Sequence, residues 1–295
     1  MIVAIRESRM DRVFSRFNFI FSFLFLIIVL YPLIYIVSCS FSDPTLVGNG
    51  EVWLWPKGFN VEGYRRVFQD KNIMTGYANT IFYTIVGTAL NLAVTLPCGY
   101  ALSKPALPGY KLIMLYMMIP MYFGGGLVPT YLLVKDLHLL DTRLILVILG
   151  VMSVYNMIIC RTFFKGIPGE LEEAAVIDGC SQGRVFLQIV LPLSQALIGV
   201  MVLYYAIGHW NSYFDAMIYV RDNAKKPLQL FLRQLLIVES ASQDMMEGDS
   251  LYEAEKLKHL LKYSVIIVSS LPMMILYPFL QKYFNKGVLL GSIKG

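Results

Sequence analysis

Charge is scarce in this chain. Of 295 residues only 15% are Asp, Glu, Lys or Arg, while 57% are hydrophobic; a soluble domain carries about 25% charged residues. That deficit, with a mean hydropathy of +0.60, excludes an ordinary water-soluble globule and points to lipid as the surrounding solvent. Cysteine is sparse as well. Cys39, Cys98, Cys160 and Cys180 stand far apart with no CxxC spacing, so neither a zinc site nor a disulfide framework is supported, and the four read as small apolar fillers. The three histidines, His138, His209 and His259, share no ligand spacing, and no metal is expected. A GxxxxGK[ST] loop is missing, so any ATP has to be bound by another chain. No stripe of Lys and Arg with interleaved exposed aromatics occurs outside the apolar runs, which argues against a nucleic-acid partner. The net charge of +5 is equally well explained by basic residues at membrane edges.

Long apolar runs are what the sequence does contain. A spanning helix needs about 20 apolar residues. Six segments meet or approach that length: Phe17–Cys39; Tyr77–Leu102, carrying Asn79, Asn91 and Pro97; Leu112–Val134, interrupted by Pro120, Gly124-Gly125-Gly126 and Pro129; Leu144–Cys160, short but extendable to Phe164; Leu193–Phe214, whose one ionisable residue is His209; and Tyr263–Leu280, with Pro272 and Pro278. None of the six cores bears a formal charge, as a cost of about 2.5–3.5 kcal/mol per mid-membrane charge requires. Arg6, Arg9, Arg12 and Arg16 precede the first run in the manner of a signal peptide. That run is too long and lacks a small-x-small cleavage site, so it reads as an uncleaved first transmembrane helix. The expectation is an all-α membrane protein of six transmembrane helices, a single domain over residues 1–295 without internal repeats.

Six spans place both termini on one side. The short segments on that side hold Lys104 and Lys111, Arg161, Lys165 and Arg184, then Lys282, Lys286 and Lys294; residues 103–111 and 281–295 have no acid at all. Basic residues in short loops mark the cytoplasmic face, so both termini are expected in the cytoplasm. The opposite side then carries two sizeable loops. Residues 40–76 include Trp53, Trp55, Phe59 and Tyr64, an aromatic set suited to a membrane interface or to docking an external partner. Residues 215–262 are polar and mixed in charge, and 251–262 has apolar residues at helical spacing.

One polar interruption stands out on the expected cytoplasmic side: ELEEAAVIDGCSQGRVFLQIVLP at 170–192. Pro168 suits a helix start. Glu170, Glu172 and Glu173 then fall in the first turn, where acids complement the helix dipole. Ala174 and Ala175 keep the helix thin, Gly179 can take the left-handed conformation that ends it, and Ser181 can cap a second short helix. Pro192 opens the fifth span. The result is a thin acidic helix held crosswise between two bends, able to lie in a groove on a partner and pass movement to the fourth and fifth spans.

Glu173-Ala174-Ala175, Gly179, Ile189 and Leu191-Pro192 resemble the EAA loop of ABC-importer permeases. Further stretches match the carbohydrate branch of that family, close to the second permease of maltose-type importers: SFSDP at 40–44, WPKGF at 55–59, GGGLVPTYLL at 124–133, RTFF at 161–164, GHWNSYFDAM at 208–217, KPLQLFLRQLL at 226–236 and YFNKGVLLGSIKG at 283–295. Together they resemble its oligosaccharide and polysaccharide-fragment group over nearly the whole chain. The resemblance implies the type I ABC importer permease fold, with a cytoplasmic coupling helix between helices four and five. It implies a translocation subunit rather than an enzyme, paired with a second homologous permease, two cytosolic ATPase subunits that hold ATP and Mg, and an extracytoplasmic sugar-binding protein. It assigns ATPase coupling to Glu172, Glu173, Ala174, Ala175, Asp178, Gly179, Leu191 and Pro192, and sends a tail with Gly287, Gly291, Ser292 and Lys294 toward the ATPase pair.

Sugars are recognised by amides, hydroxyls and aromatic platforms. Trp210, Asn211 and Tyr213 near the outer end of span five, Asn79 and Asn91 on span two, and Tyr122 on span three are the candidates for a substrate path. Helix–helix hydrogen bonding is the plainer role for each, and in maltose-type importers substrate contacts fall mainly on the partner permease. The Gly124–Gly126 break, at membrane depth, favours a gate or subunit contact over lipid exposure. An ABC permease for a non-sugar solute is the alternative. A secondary transporter predicts buried ionisable residues, which the spans lack beyond His209, and a membrane enzyme predicts a catalytic constellation that is not found.

Overall fold

A backbone without water must close its hydrogen bonds within itself, which is why apolar runs of this length fold as helices. The computed structural model describes residues 9–104, 107–234 and 260–278, and among these all regular structure is helical. In chain order the elements are α1 (Arg9–Ser40), α2 (Pro44–Gly48), α3 (Glu62–Gln69), α4 (Lys71–Ser103), α5 (Tyr110–Tyr122), α6 (Leu127–Asp136), α7 (Ile145–Ile148), α8 (Val154–Phe164), α9 (Gly169–Ile177), α10 (Gln182–Val185), a π-helical turn (Phe186–Val190), α11 (Leu191–Leu193), α12 (Gln195–Trp210) and α13 (Phe214–Tyr219). A 3-10 turn (Asn223–Lys225) follows, then α14, which starts at residue 228 and is described to 234, and α15 (Leu260–Pro278).

Among the described residues three helices, α1, α4 and α15, are individually long and apolar enough to cross a membrane. Two expected spans are bent instead. α5 and α6 meet at 112°, and the helix Gln182–Leu193 meets α12 at 84°. The first bend follows the sequence: Gly126 adopts φ +83°, and nothing lies within 4 Å of where a Cβ on Gly124 or Gly125 would stand. The fourth expected span is not one helix. α7 stops at Leu149, which is extended, Gly150 takes φ +75°, and Ser153 caps α8 by accepting from Asn156 N–H. α8 has 11 residues, about 16 Å of rise, well short of a hydrocarbon core of about 30 Å.

The chain divides into two compact units, Met1–Gln69 with Leu236–Ser270 and Asp70–Leu235 with Leu271–Gly295. In the first, α1 presents an apolar surface along most of its length and buries only Ser38, Cys39 and Ser40. Those serines are tied down: Ser38 Oγ donates to Leu54 O at 2.6 Å, and Tyr64 donates to Ser40 Oγ at 2.7 Å. Phe41 stacks on Tyr64 and Phe59. Trp53, Trp55 and Phe59 remain exposed. A Cβ on Gly63 would lie 2.5 Å from Leu260 O, so only glycine lets α3 approach α15.

In the second unit α4 is the central post. Glycines let its neighbours come close, as small residues do between membrane helices. A Cβ on Gly99 would stand 2.7 Å from Cys160 Cβ, and one on Gly87 would stand 2.4 Å from His209 Nε2. α8 and α12 therefore pack directly on α4. One apolar cluster joins Leu96 and Tyr100 of α4, Cys160 and Phe164 of α8, Ala175 of α9, Val185, Phe186 and Val190 after it, and Leu197 and Met201 of α12.

Candidate functional site

The polar interruption folds as a thin helix between two bends. Pro168 is extended at its N-cap, Glu170 and Glu172 occupy the first turn, and α9 ends at Ile177. Gly179 then takes φ +82°. Its N–H reaches Val176 O, and Cys180 N–H reaches Ala175 O, the paired closure of a Schellman end. Ser181 occupies the N-cap of α10 but makes no side-chain cap bond, so the expected capping is geometric only. The second short helix runs past Val190 through the π-helical turn into α11, carrying Leu191 and Pro192, and bends at Ser194. There the buried Ser194 hydroxyl donates back to Val190 O at 2.7 Å.

α9 has two unlike sides. Ala175 is buried in the apolar cluster, and the Glu172 carboxylate is also turned inward. It accepts from Tyr100 OH at 3.1 Å and from Lys104 Nζ. Lys104 in turn lies 4.3 Å from the centroid of the Tyr100 ring, and that ring stacks on Phe186. The Glu172 and Lys104 side chains are 15% and 31% exposed, so this bridge fastens α9 to the end of α4. Outward, Leu171, Glu173, Ala174, Val176, Ile177, Asp178 and Gly179 are exposed, Ile177 to 86%. Among the described residues no ion pair includes Glu173. A cavity of 490 Å³ opens beside the bridge, lined by Pro97, Tyr100, Lys104, Leu107, Gln182 and Phe186 among others.

The intramembrane candidates separate into groups. Asn91 is buried and donates to Gly150 O (3.2 Å) and Val151 O (2.6 Å), and its Oδ1 meets His209 Nε2 at 2.7 Å. It thus satisfies the carbonyls freed where α7 gives way to α8. One turn below, Thr95 and Tyr205 share a 2.7 Å bond. Asn79 donates to Ala224 O and Lys226 O at 2.9 and 3.0 Å and accepts from Arg143 at 3.2 Å. Tyr83 donates to Lys225 O, and Leu228 N–H donates to Thr80 Oγ1. Together these bonds pin 224–228 to α4. Trp210 is 5% exposed, edge-on to Tyr77. Asn211 donates back to Ile207 O, and Tyr213 carries the Arg233 guanidinium 4.6 Å from its centroid. Tyr122 stands at the end of α5, 75% exposed, apart from these groups. Gly287, Gly291, Ser292 and Lys294 lie outside the described residues.

Nearby, Asp141 accepts from the N–H groups of Asp222 and Arg221, which hold its carboxyl below the ordinary range, and Lys225 pairs with it at 3.5 Å. Burial pushes the Asp215 carboxyl on α13 up. Among the described residues no group of His, Cys, Asp and Glu could hold a metal ion. Sequence does not single out Lys104, Tyr100, His209 or Arg233 as site residues: each is an ordinary membrane-edge or helix residue, and for the first three the polar partner lies 68 to 118 residues away in the chain.

Comparison with known proteins fits this architecture. The family described as binding-protein-dependent transport system inner membrane component matches residues 1–289. The polygalacturonan/rhamnogalacturonan transport system permease protein YtcP of Bacillus subtilis (strain 168) is 38% identical over 286 residues, covering 97% of this chain and 99% of that protein. Protein LplC of the same organism is 38% identical over 294 residues, covering 100% and 99%. A chain in the crystal structure of a bacterial ABC transporter involved in the import of the acidic polysaccharide alginate superposes with a TM-score of 0.85 at 34% identity, over 95% of this chain and 100% of that one. The chain belongs to the family of binding-protein-dependent transport system inner membrane components. It is a multi-pass membrane permease of an ABC importer and has the helical fold of that class.

Proposed function

We propose that this chain carries oligosaccharides, fragments of larger polysaccharides, through the cytoplasmic membrane, sharing the path with a second homologous permease. An extracytoplasmic sugar-binding protein delivers the cargo. Two cytosolic ATPase subunits hold ATP and Mg and do the hydrolysis; this chain is the translocation subunit. Both termini face the cytoplasm. The relatives named for polygalacturonan/rhamnogalacturonan transport and for alginate import support a carbohydrate cargo.

The observation that carries the reading is the two-sidedness of α9. Its inner side is bonded to α4 through Glu172 and packed through Ala175. Its outer side offers Glu173, Ala174 and Asp178 to a partner. A helix gripped from outside and fastened inside moves α4 and, through the bend at Ser194, α12. ATP binding would close the ATPase pair, carry α9 with it and reopen the path toward the loaded binding protein; hydrolysis would return the inward-facing state. Gly179, Leu191 and Pro192 act here as the stiff ends of the lever, and Gly287, Gly291, Ser292 and Lys294 as a tail toward the ATPases.

Glu173→Lys tests this in the complete importer. The variant should reach the membrane at wild-type abundance yet lose the ATPase subunits on purification, or lose sugar-stimulated ATP turnover. Unchanged sugar-stimulated turnover with the ATPases retained rejects the role given to α9.

A further inference from the structure

The break between α12 and α13 gathers groups that the transport reading has not yet used. α12 has 16 residues, about 24 Å of rise, so residues 211–213 lie most of a bilayer core away from the α9 end of that helix. Asn211 and Tyr213 are exposed there. Asn211 spends its amide N–H on Ile207 O, leaving its Oδ1 to accept from a hydroxyl. Across from them α14 brings Arg233, whose guanidinium lies over the Tyr213 ring and touches Met217 Sδ at 3.6 Å. Among the described residues no ion pair includes Arg233.

Arg233 is not on a loose strand. The chain leading into α14 is pinned to α4 by Asn79, Tyr83 and Thr80. Gly76 admits α14 so closely that a Cβ there would stand 2.9 Å from Phe231 and 3.0 Å from Leu228 Cα. A guanidinium backed by a ring on a braced element keeps its N–H fork pre-aimed, and that planar fork matches a carboxylate in two parallel bonds. Beside it stand a phenol and an amide, the donors and acceptors that sugar hydroxyls require.

We propose that Arg233, laid on Tyr213, reads a carboxylate on the passing sugar, so that the cargo is an oligosaccharide containing uronic acid residues. This rests on the oligosaccharide-importer reading above. Asn211 and Tyr213 contact hydroxyls of the same residue, and Arg233 sets the preference for acidic over neutral chains.

The test uses the complete importer in liposomes with its binding protein. The probes are labelled trigalacturonate, its fully methyl-esterified form and a neutral oligosaccharide. Arg233→Gln should lower trigalacturonate uptake about tenfold, the loss of a charged hydrogen bond, with ester uptake and sugar-free ATP turnover unchanged. Arg233→Lys should recover part of the loss. Equal loss of both probes, or no loss of trigalacturonate, overturns the assignment of Arg233 while leaving the importer reading intact. A wild-type importer that carries neutral oligosaccharide but not trigalacturonate, or the ester as readily as the acid, overturns the cargo class alone. One that carries no oligosaccharide overturns both.

Discussion

Replacing Asn91 with Leu distinguishes a brace from a sugar contact. The side chain is 1% exposed and makes three bonds, to Gly150 O, Val151 O and His209. Leucine keeps the branching and heavy-atom count of asparagine but is the larger residue, so the change opens no cavity, leaves two carbonyls and a ring nitrogen unpaired, and adds some overpacking to the loss. Hydrogen bonds between membrane helices average only about 0.6 kcal/mol, because freed groups find new partners. Helix ends that lose a buried partner cost more, about 1–3 kcal/mol per group. The second scale governs here. Gly150 and Val151 lie where the backbone has left the helix, with Leu149 extended and Gly150 at φ +75°, so no neighbouring turn supplies a substitute N–H. At that scale the three groups together give a loss of about 3–9 kcal/mol. It is read as a lower unfolding temperature of the assembled importer in detergent, beside initial uptake rates across sugar concentrations. A brace lowers stability and maximal rate and leaves the half-saturating concentration alone. Wild-type stability with a raised half-saturating concentration would refute the reasoning and return Asn91 to the sugar path.

Two further perturbations probe α9. In a double-mutant cycle of Lys104→Met and Glu172→Gln, the coupling should be about 1–2 kcal/mol by thermal unfolding, above the range of exposed pairs because Glu172 is only 15% exposed; zero coupling would mean the bridge does not hold α9. Gly179→Ala meets nothing within 4 Å but must hold φ +82°, a strain of about 1 kcal/mol, and sugar-stimulated ATP turnover should fall while membrane abundance does not.

Local chemistry made part of this architecture legible. Pro168 and Gly179 bound α9 as their backbone preferences demand, and the glycines at 124–126 and Pro129 announce the bend between α5 and α6. Span four was the least legible. Hydropathy sees an apolar run from Leu144 and is blind to a left-handed Gly150 whose freed carbonyls are answered by Asn91, 59 residues away. For the same reason Glu172 read as one more partner-facing acid: Lys104, 68 residues earlier, is what turns it inward. Asn79 and Asn91 stand out as polar side chains in an apolar helix, but sequence carries no sign of which backbone they serve. Ser181 sits at a helix start without a cap bond, since the preference for serine there does not oblige its hydroxyl to bond.

The adjacent acids Glu172 and Glu173 divide one short helix into two independent specifications. What lies toward Tyr100 and Lys104 must suit this polypeptide alone; on the coupling role proposed for α9, what lies outward, at Leu171, Glu173, Ala174, Val176 and Ile177, must suit whatever docks there. Each set can therefore drift, or be redesigned, without consulting the other. Grafting the outward residues of one transporter onto the inward residues of another is the natural route to exchanging motors between them, and a single motor shared by many permeases would constrain only the outer set.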